Sequence, residues 1–161
     1  MYKYKGSFKL ISNQLIICDP FSISDANNMI IDEVISGVYH CFSSGSELMI
    51  YHASLYQIES TVFRDVDRWI KVDKQVAVDS GMIGIYDAEN WNDTGLDIEI
   101  VFPKNNIDDM EWESTNANIV DAHSAGTLKS GFVSSTKDGD GQYEVSTLTI
   151  NNELKGIKIM I

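Results

Sequence analysis

With 161 residues, 43% of them hydrophobic and 10% aromatic, the chain can bury roughly 70% of the surface it exposes when unfolded. That excludes a disordered segment and removes any need for metal or disulfide staples, so residues 1–161 are read as a single β-rich domain. The 24 acids and 12 bases leave a net charge of −12, which repels nucleic-acid backbones and anionic membranes alike.

In chain order, Phe8 and Leu10, then Leu15-Ile16-Ile17-Cys18, bracket the polar Ser12-Asn13-Gln14, a pattern that suggests a hairpin. Asp19-Pro20 stops the second strand, because proline lacks a donor and restricts the residue before it. The segment from Ser24 to Ile31 fits either a short helix capped by Ser24 or a loop. Val38-Tyr39-His40-Cys41-Phe42 and Leu48-Met49-Ile50-Tyr51-His52 form a strand pair across Ser43 to Glu47. The preferred five-residue loop sets Phe42 against Leu48 and His40 against Ile50. A third apolar run spans Leu55 to Phe63. Val72, Val76 and Val78 lead to Asp79-Ser80-Gly81, and Met82 to Tyr86 is a further strand. Leu96, Ile98, Ile100 and Phe102 alternate with Asp97, Glu99 and Val101, the period-2 signature of a half-buried strand. Phe132-Val133 and Tyr143 to Ile150 flank a turn-rich Lys137 to Gly141, and Ile157 to Ile161 closes the chain.

Short strands at such spacing predict a mainly β fold, an antiparallel sandwich or a strongly curved barrel-like sheet, with at most one or two short helices. Ser-Gly followed by apolar residues recurs at Ser36, Ser80 and Ser130 with unlike flanks, and reads as strand-start chemistry and not as a repeat architecture. No apolar run reaches the roughly 20 residues that span a bilayer. Met1-Tyr2-Lys3-Tyr4-Lys5 opens without the apolar core of a signal peptide, and the expected compartment is cytoplasmic. Cys18 and Cys41 have no metal-type spacing and read as buried free thiols, with one disulfide between neighbouring strands as the alternative.

Charge is unevenly distributed. Asp87, Glu89, Asp93, Asp97, Glu99, Asp108, Asp109, Glu111 and Glu113 face a single base, Lys104, so this stretch holds −8 of the total −12. Trp91 and Trp112 lie inside it. Aromatics within a charged region are what binding anchors look like, and large residues are also simply core. The expected partner is a basic protein, with no nucleic acid, no membrane and no cofactor. Asp87, Trp91, Asp97, Glu99 and Trp112 are the candidate contacts.

Catalytic patterns are sparse. There is no GxSxG, no HExxH and no glycine-rich phosphate loop, and no serine has a histidine placed by sequence to activate it. Asp138-Gly139-Asp140-Gly141 begins like a calcium loop, but Gln142, Tyr143 and Thr149 occupy the places of a ligand, the turn glycine and the closing Glu. No metal site is expected there, nor at His40 and His52, for which a third ligand is missing. The alternative to a binding protein is an enzyme or small-ligand binder with a carboxylate site. It would use Asp79, Asp87 and Asp140, lined by Ser80 and Tyr143. Against this, Asp79-Ser80-Gly81 also reads as an ordinary hairpin turn.

Leu15 to Pro20, Gly37-Val38-Tyr39, Val78-Asp79-Ser80-Gly81 and Asp138-Gly139-Asp140-Gly141-Gln142-Tyr143 occur in an order that resembles a bacterial family of domains of unknown function. Its members carry an apolar-strand-Asp-Pro opening, a Gly-x-Tyr strand, a Val-Asp-x-Gly turn and a closing Gly-Asp-Gly-x-Tyr hairpin. Glu144 stands where that family commonly has proline, and residues from Asn92 to Lys129 match none of its motifs. The resemblance implies a β-rich bacterial cytoplasmic protein and transfers no catalytic residue.

Overall fold

The computed structural model describes residues 2–20, 28–58, 68–90 and 125–161. They form two antiparallel sheets. Sheet A contains β1 (Lys3–Leu10), β4 (Gly37–Ser43), β5 (Glu47–His52), β11 (Glu153–Met160), β10 (Gly141–Ile150) and β6 (Trp69–Val78), in that order across the sheet. Sheet B runs β3 (Met29–Ile31), β2 (Leu15–Cys18), β7 (Met82–Asp87), β9 (Gly131–Ser135) and β8 (Ala125–Leu128). The architecture is a sandwich, and the sheets do not close into a barrel. No α-helix occurs among the described residues; a single 3-10 helix, Ala53–Ile58, takes the start of the run read as a third strand.

Alternation places the core. Tyr39 and Cys41 of β4, Leu48 and Ile50 of β5, Val145 of β10 and Ile157 of β11 turn one face of sheet A inward. They meet Leu15, Ile17, Ile83, Ile85 and Phe132 of sheet B in one buried cluster. At roughly 25 cal/mol for each Å² of apolar surface removed from water, this layer is the main stabilising term. Phe42, Met49, Tyr51 and Leu148 form a second cluster on the opposite face of sheet A, with Leu55 of the 3-10 helix against them. Phe42 and Tyr51 stack at 5.0 Å.

Three connections expected as hairpins cross between the sheets instead. The chain leaves β1 in sheet A and enters β2 in sheet B through Ser12 to Gln14; it does the same from β6 to β7 through Asp79 to Gly81. β9 returns to β10 in the same way. An arch and a hairpin call for the same small and polar turn residues, so local sequence does not separate them. Hairpins join β4–β5, β8–β9 and β10–β11. The last turns on Asn151 and Asn152, with φ of 53° and 65°, the left-handed pair that a two-residue type I′ turn demands.

The β4–β5 register is one residue away from the expected one. Ser44 donates its N–H to the Glu47 carbonyl at 3.0 Å, which leaves a two-residue turn with Gly45 at φ 84°. Phe42 therefore faces Met49, and His40 faces Tyr51. Because a one-residue slip inverts the faces, His40 points outward while His52 stands beside Tyr39.

Both edge strands of sheet A are irregular. β1 shifts register against β4 between Tyr4 and Gly6, and β6 does so against β10 where Glu144 gives way to Ser146. β1 carries Lys3, Lys5 and Lys9, and β6 carries Lys71 and Lys74.

On the outer face of sheet B, Ile16, Cys18, Leu128 and Val133 surround Tyr86. Its ring lies flat over Gly84 and Gly131: a Cβ on either glycine would overlap the ring, and at Gly131 it would also stand 2.6 Å from the Ile85 carbonyl oxygen. The Tyr86 hydroxyl is fully buried and has no hydrogen-bond partner among the described residues. Gly131→Ala should therefore cost about 3 kcal/mol through overpacking against backbone. Tyr86→Phe should raise stability by about 1 kcal/mol, since it removes a desolvated hydroxyl and keeps the ring. Urea denaturation of both variants checks the opposite signs.

Candidate functional site

The two arches are the most polar constructions in the interior. At the end of β7, the carboxylate of Asp87 is fully buried. Its Oδ2 accepts the backbone N–H of Ile11 at 2.8 Å and of Ser12 at 3.1 Å; its Oδ1 accepts the Ser12 hydroxyl at 2.6 Å and the Glu89 N–H at 3.0 Å. At the end of β2, Asp19 repeats the arrangement. Its Oδ2 accepts the N–H groups of Asp79 and Ser80, each at 2.8 Å, and its Oδ1 accepts the Ser80 hydroxyl at 2.6 Å. Each serine oxygen also accepts the N–H two residues on, Gln14 for Ser12 and Met82 for Ser80, both at 3.2 Å.

Burial alone would raise the carboxyl pKa of Asp87. The bonds from Ser12, Ile11 and Asn90 outweigh it and hold the value below the ordinary carboxylate range.

This geometry separates the members of the predicted carboxylate site. Asp79 and Ser80 precede the six-residue β7 and Asp87 ends it, so the length of that strand separates them, roughly 20 Å of chain. Asp87 has its acceptors committed to the first arch and takes no part in a site with Asp79 and Asp140. What the fold does bring together is the second arch and the turn before β10. Thr136 donates its N–H to the Gly81 carbonyl at 2.8 Å, and Gly81 lies against Gly139. The Gly139 carbonyl accepts the hydroxyls of Thr136 and Tyr143, each at 2.5 Å. Asp79, Asp138 and Asp140 are exposed around this turn. No group of three or more potential metal ligands occurs among the described residues.

His52 has a structural assignment. The Ser54 N–H donates to Nδ1 at 3.1 Å, which leaves the proton on Nε2, and that nitrogen meets the Ser36 carbonyl at 3.0 Å. The Ser54 hydroxyl lies 2.7 Å from Nδ1, a pairing the sequence did not suggest. With both nitrogens engaged, the ring ties the end of β5 to the residue before β4. Gly37 makes room for it: a Cβ there would stand 2.6 Å from Nε2. Cys18 and Cys41 are buried free thiols. Burial, with a smaller contribution from Asp19, pushes the Cys18 thiol up to about 12.

Trp91, Asp97, Glu99, Trp112 and His123 lie outside the described residues. The sequence reading missed Asp19, taken only as a strand stop, and Ser12. The available signal was the shared spacing of Ser12 with Asp19 and of Ser80 with Asp87. No protein-family model, no curated protein and no solved structure matches this chain.

Asp87→Ala should destabilise the protein by about 2–4 kcal/mol, because it strands buried donors. The pH dependence has a fixed sign. A carboxyl whose folded pKa is depressed contributes fully above its unfolded value, near pH 4. That contribution is lost as the pH falls through the folded pKa. Urea midpoints measured from pH 6 down to pH 2 should show this loss in the wild type, with the part due to Asp87 missing in Asp87→Asn. Ellman's reagent at pH 8 should leave both thiols unreacted until denaturant unfolds the chain, since the reactive thiolate is disfavoured and inaccessible.

Proposed function

We propose that the chain is a non-enzymatic acidic binding protein, an immunity-type inhibitor that neutralises a basic partner such as a nuclease toxin. The observation that carries this reading is the segregation of charge: eight acids and one base between Ala88 and Glu113, with Asp87, expected as a partner contact, buried instead and committed to the first arch. This stretch follows β7, and the described ladders of both sheets are built from residues before and after it. Acids packed into one segment repel one another, a cost that folding does not require. A basic partner relieves that repulsion and is steered toward it. The separation of Asp87 from Asp79 and Asp140 removes the geometric support for the carboxylate-site alternative.

The bacterial, cytoplasmic character implied by the resemblance suits such a role and makes the neighbouring gene informative. Co-expression with the product of the adjacent reading frame tests it: the chain should rescue growth from a toxic product and bind that product directly. The association rate should fall steeply between low and physiological salt. Asp97→Asn with Glu99→Gln should slow association several-fold and leave the melting temperature within about 2 °C, since exposed charges contribute little to folding. Trp91→Ala should instead speed dissociation, as loss of an anchor does. Full binding retained by all three replacements would reduce the acidic stretch to a solvated face.

A further inference from the structure

We infer that the chain is an internal duplication, in which residues 3–52 and 69–161 carry two copies of one five-stranded unit facing each other about a two-fold axis. Exchanging β1 with β6, β4 with β10 and β5 with β11 turns the order of sheet A, β1-β4-β5-β11-β10-β6, into its own reverse. Exchanging β2 with β7 and β3 with β9 does the same for β3-β2-β7-β9, and leaves β8 as an addition.

Register and side chains obey the same operation. In the β2–β7 ladder Ile17 faces Ile85, and 85 lies 68 after 17, as 80 does after 12 and 87 after 19. The residues at those positions are identical in pairs: Ile, Ser and Asp. Each aspartate therefore clamps the arch of the other copy, Asp87 that of Ser12 and Asp19 that of Ser80, with the same oxygens and the same three donors. The same operation relates β1–β4 to β6–β10. Phe8 pairs with Tyr39 and Val76 with Tyr143, and each tyrosine follows a glycine by two residues. Tyr39 donates its hydroxyl to the carbonyl of Ile35, and Tyr143 to that of Gly139, each four residues back. The Asn13 carbonyl accepts the Val34 N–H at 2.9 Å, as the Gly81 carbonyl accepts that of Thr136, with the second copy longer by two residues between this donor and its tyrosine. At the centre of sheet A, Met49 faces Lys158, with Ile50 opposite Ile157 and Leu48 opposite Ile159, so that Leu48 corresponds to Ile157 and Ile50 to Ile159.

An isologous contact of this kind is what two identical subunits make in a closed dimer; here a single chain supplies both. The copies are joined through 53–68. The start of the first copy and the end of the second both meet the turn between β4 and β5. Tyr2 donates its hydroxyl to Glu47, and Ile161 its N–H to the Ser46 carbonyl at 2.8 Å. The copies differ most after the clamped strand, where 19–28 leads from β2 to β3 and 88–130 leads from β7 to β9.

The test exchanges core residues across the axis in the full chain. The pairs are Phe8 with Val76, Leu10 with Val78, Leu15 with Ile83, Met29 with Phe132, Cys41 with Val145, and Leu48 with Ile157, all in the central cluster. If the positions are equivalent, the twelve-residue exchange recreates the same core turned through half a circle, and it should melt within about 5 °C of the wild type. Changing only the six positions of the first copy mixes two packings and should lower the midpoint by more than about 10 °C. A full exchange that melts no higher than the half exchange, failure to fold included, overturns the duplication. A second measurement uses the wild-type core with a protease site inserted in the 53–68 connection. After cleavage the two pieces should co-elute with an unchanged far-UV spectrum. Pieces that separate without denaturant overturn the self-complementary interface.

Discussion

A chain that passes from one sheet of a sandwich to the other must leave the first ladder before it joins the second. Its amides at the crossing then have no strand to bond. An unpaired buried N–H costs about as much as several well-packed methylenes contribute. Here the solution is a carboxylate from the adjacent strand, able to accept several donors at once. Charge-assisted bonds of this kind are short and strong, and Ser12 and Ser80 complete each set. The positions of both sheets follow from this, because β2 and β7 cannot pair as they do unless the arches that precede them are held.

Much of the strand content was legible because alternation writes burial directly into sequence. Cys41, Ile50, Val145 and Ile157 fall on the inner face where period-2 patterning puts them. Sheet membership was not legible. Ser12-Asn13-Gln14 and Asp79-Ser80-Gly81 serve an arch as readily as a hairpin, and the deciding partner lies 60 or more residues away. Ala125-Gly126-Thr127-Leu128 carries no alternation and forms β8 through its pairing with β9 alone. The His40 register depended on whether the loop held two residues or five, a choice settled by the Ser44–Glu47 bond. Asp87 was legible as an unusual residue, but its spacing from Ser80 does not reveal that it belongs to the other arch.

Under the proposed binding role, function and framework divide along the chain. The aspartates inside the fold are structural: they have their acceptors filled by backbone and serine and offer nothing to a ligand. The acidity assigned to a partner is a property of the stretch after β7, a place where the first half of the chain has only the short connection from Asp19 to Asn28. Connections of this kind tolerate variation in length and sequence better than the strands they join.

The irregular edges of sheet A have a colloidal consequence. Lys3, Lys5 and Lys9 on β1, with Lys71 and Lys74 on β6, place five of the twelve basic residues of an acidic chain on the outermost strands of that sheet among the described residues. A second molecule approaching to extend the sheet would bring lysine against lysine, and the register breaks in both strands would misalign its amides. Exposed edges are where β proteins polymerise. Here the net negative charge keeps molecules apart at long range, and the lysine-bearing edges keep them from growing into fibres on contact.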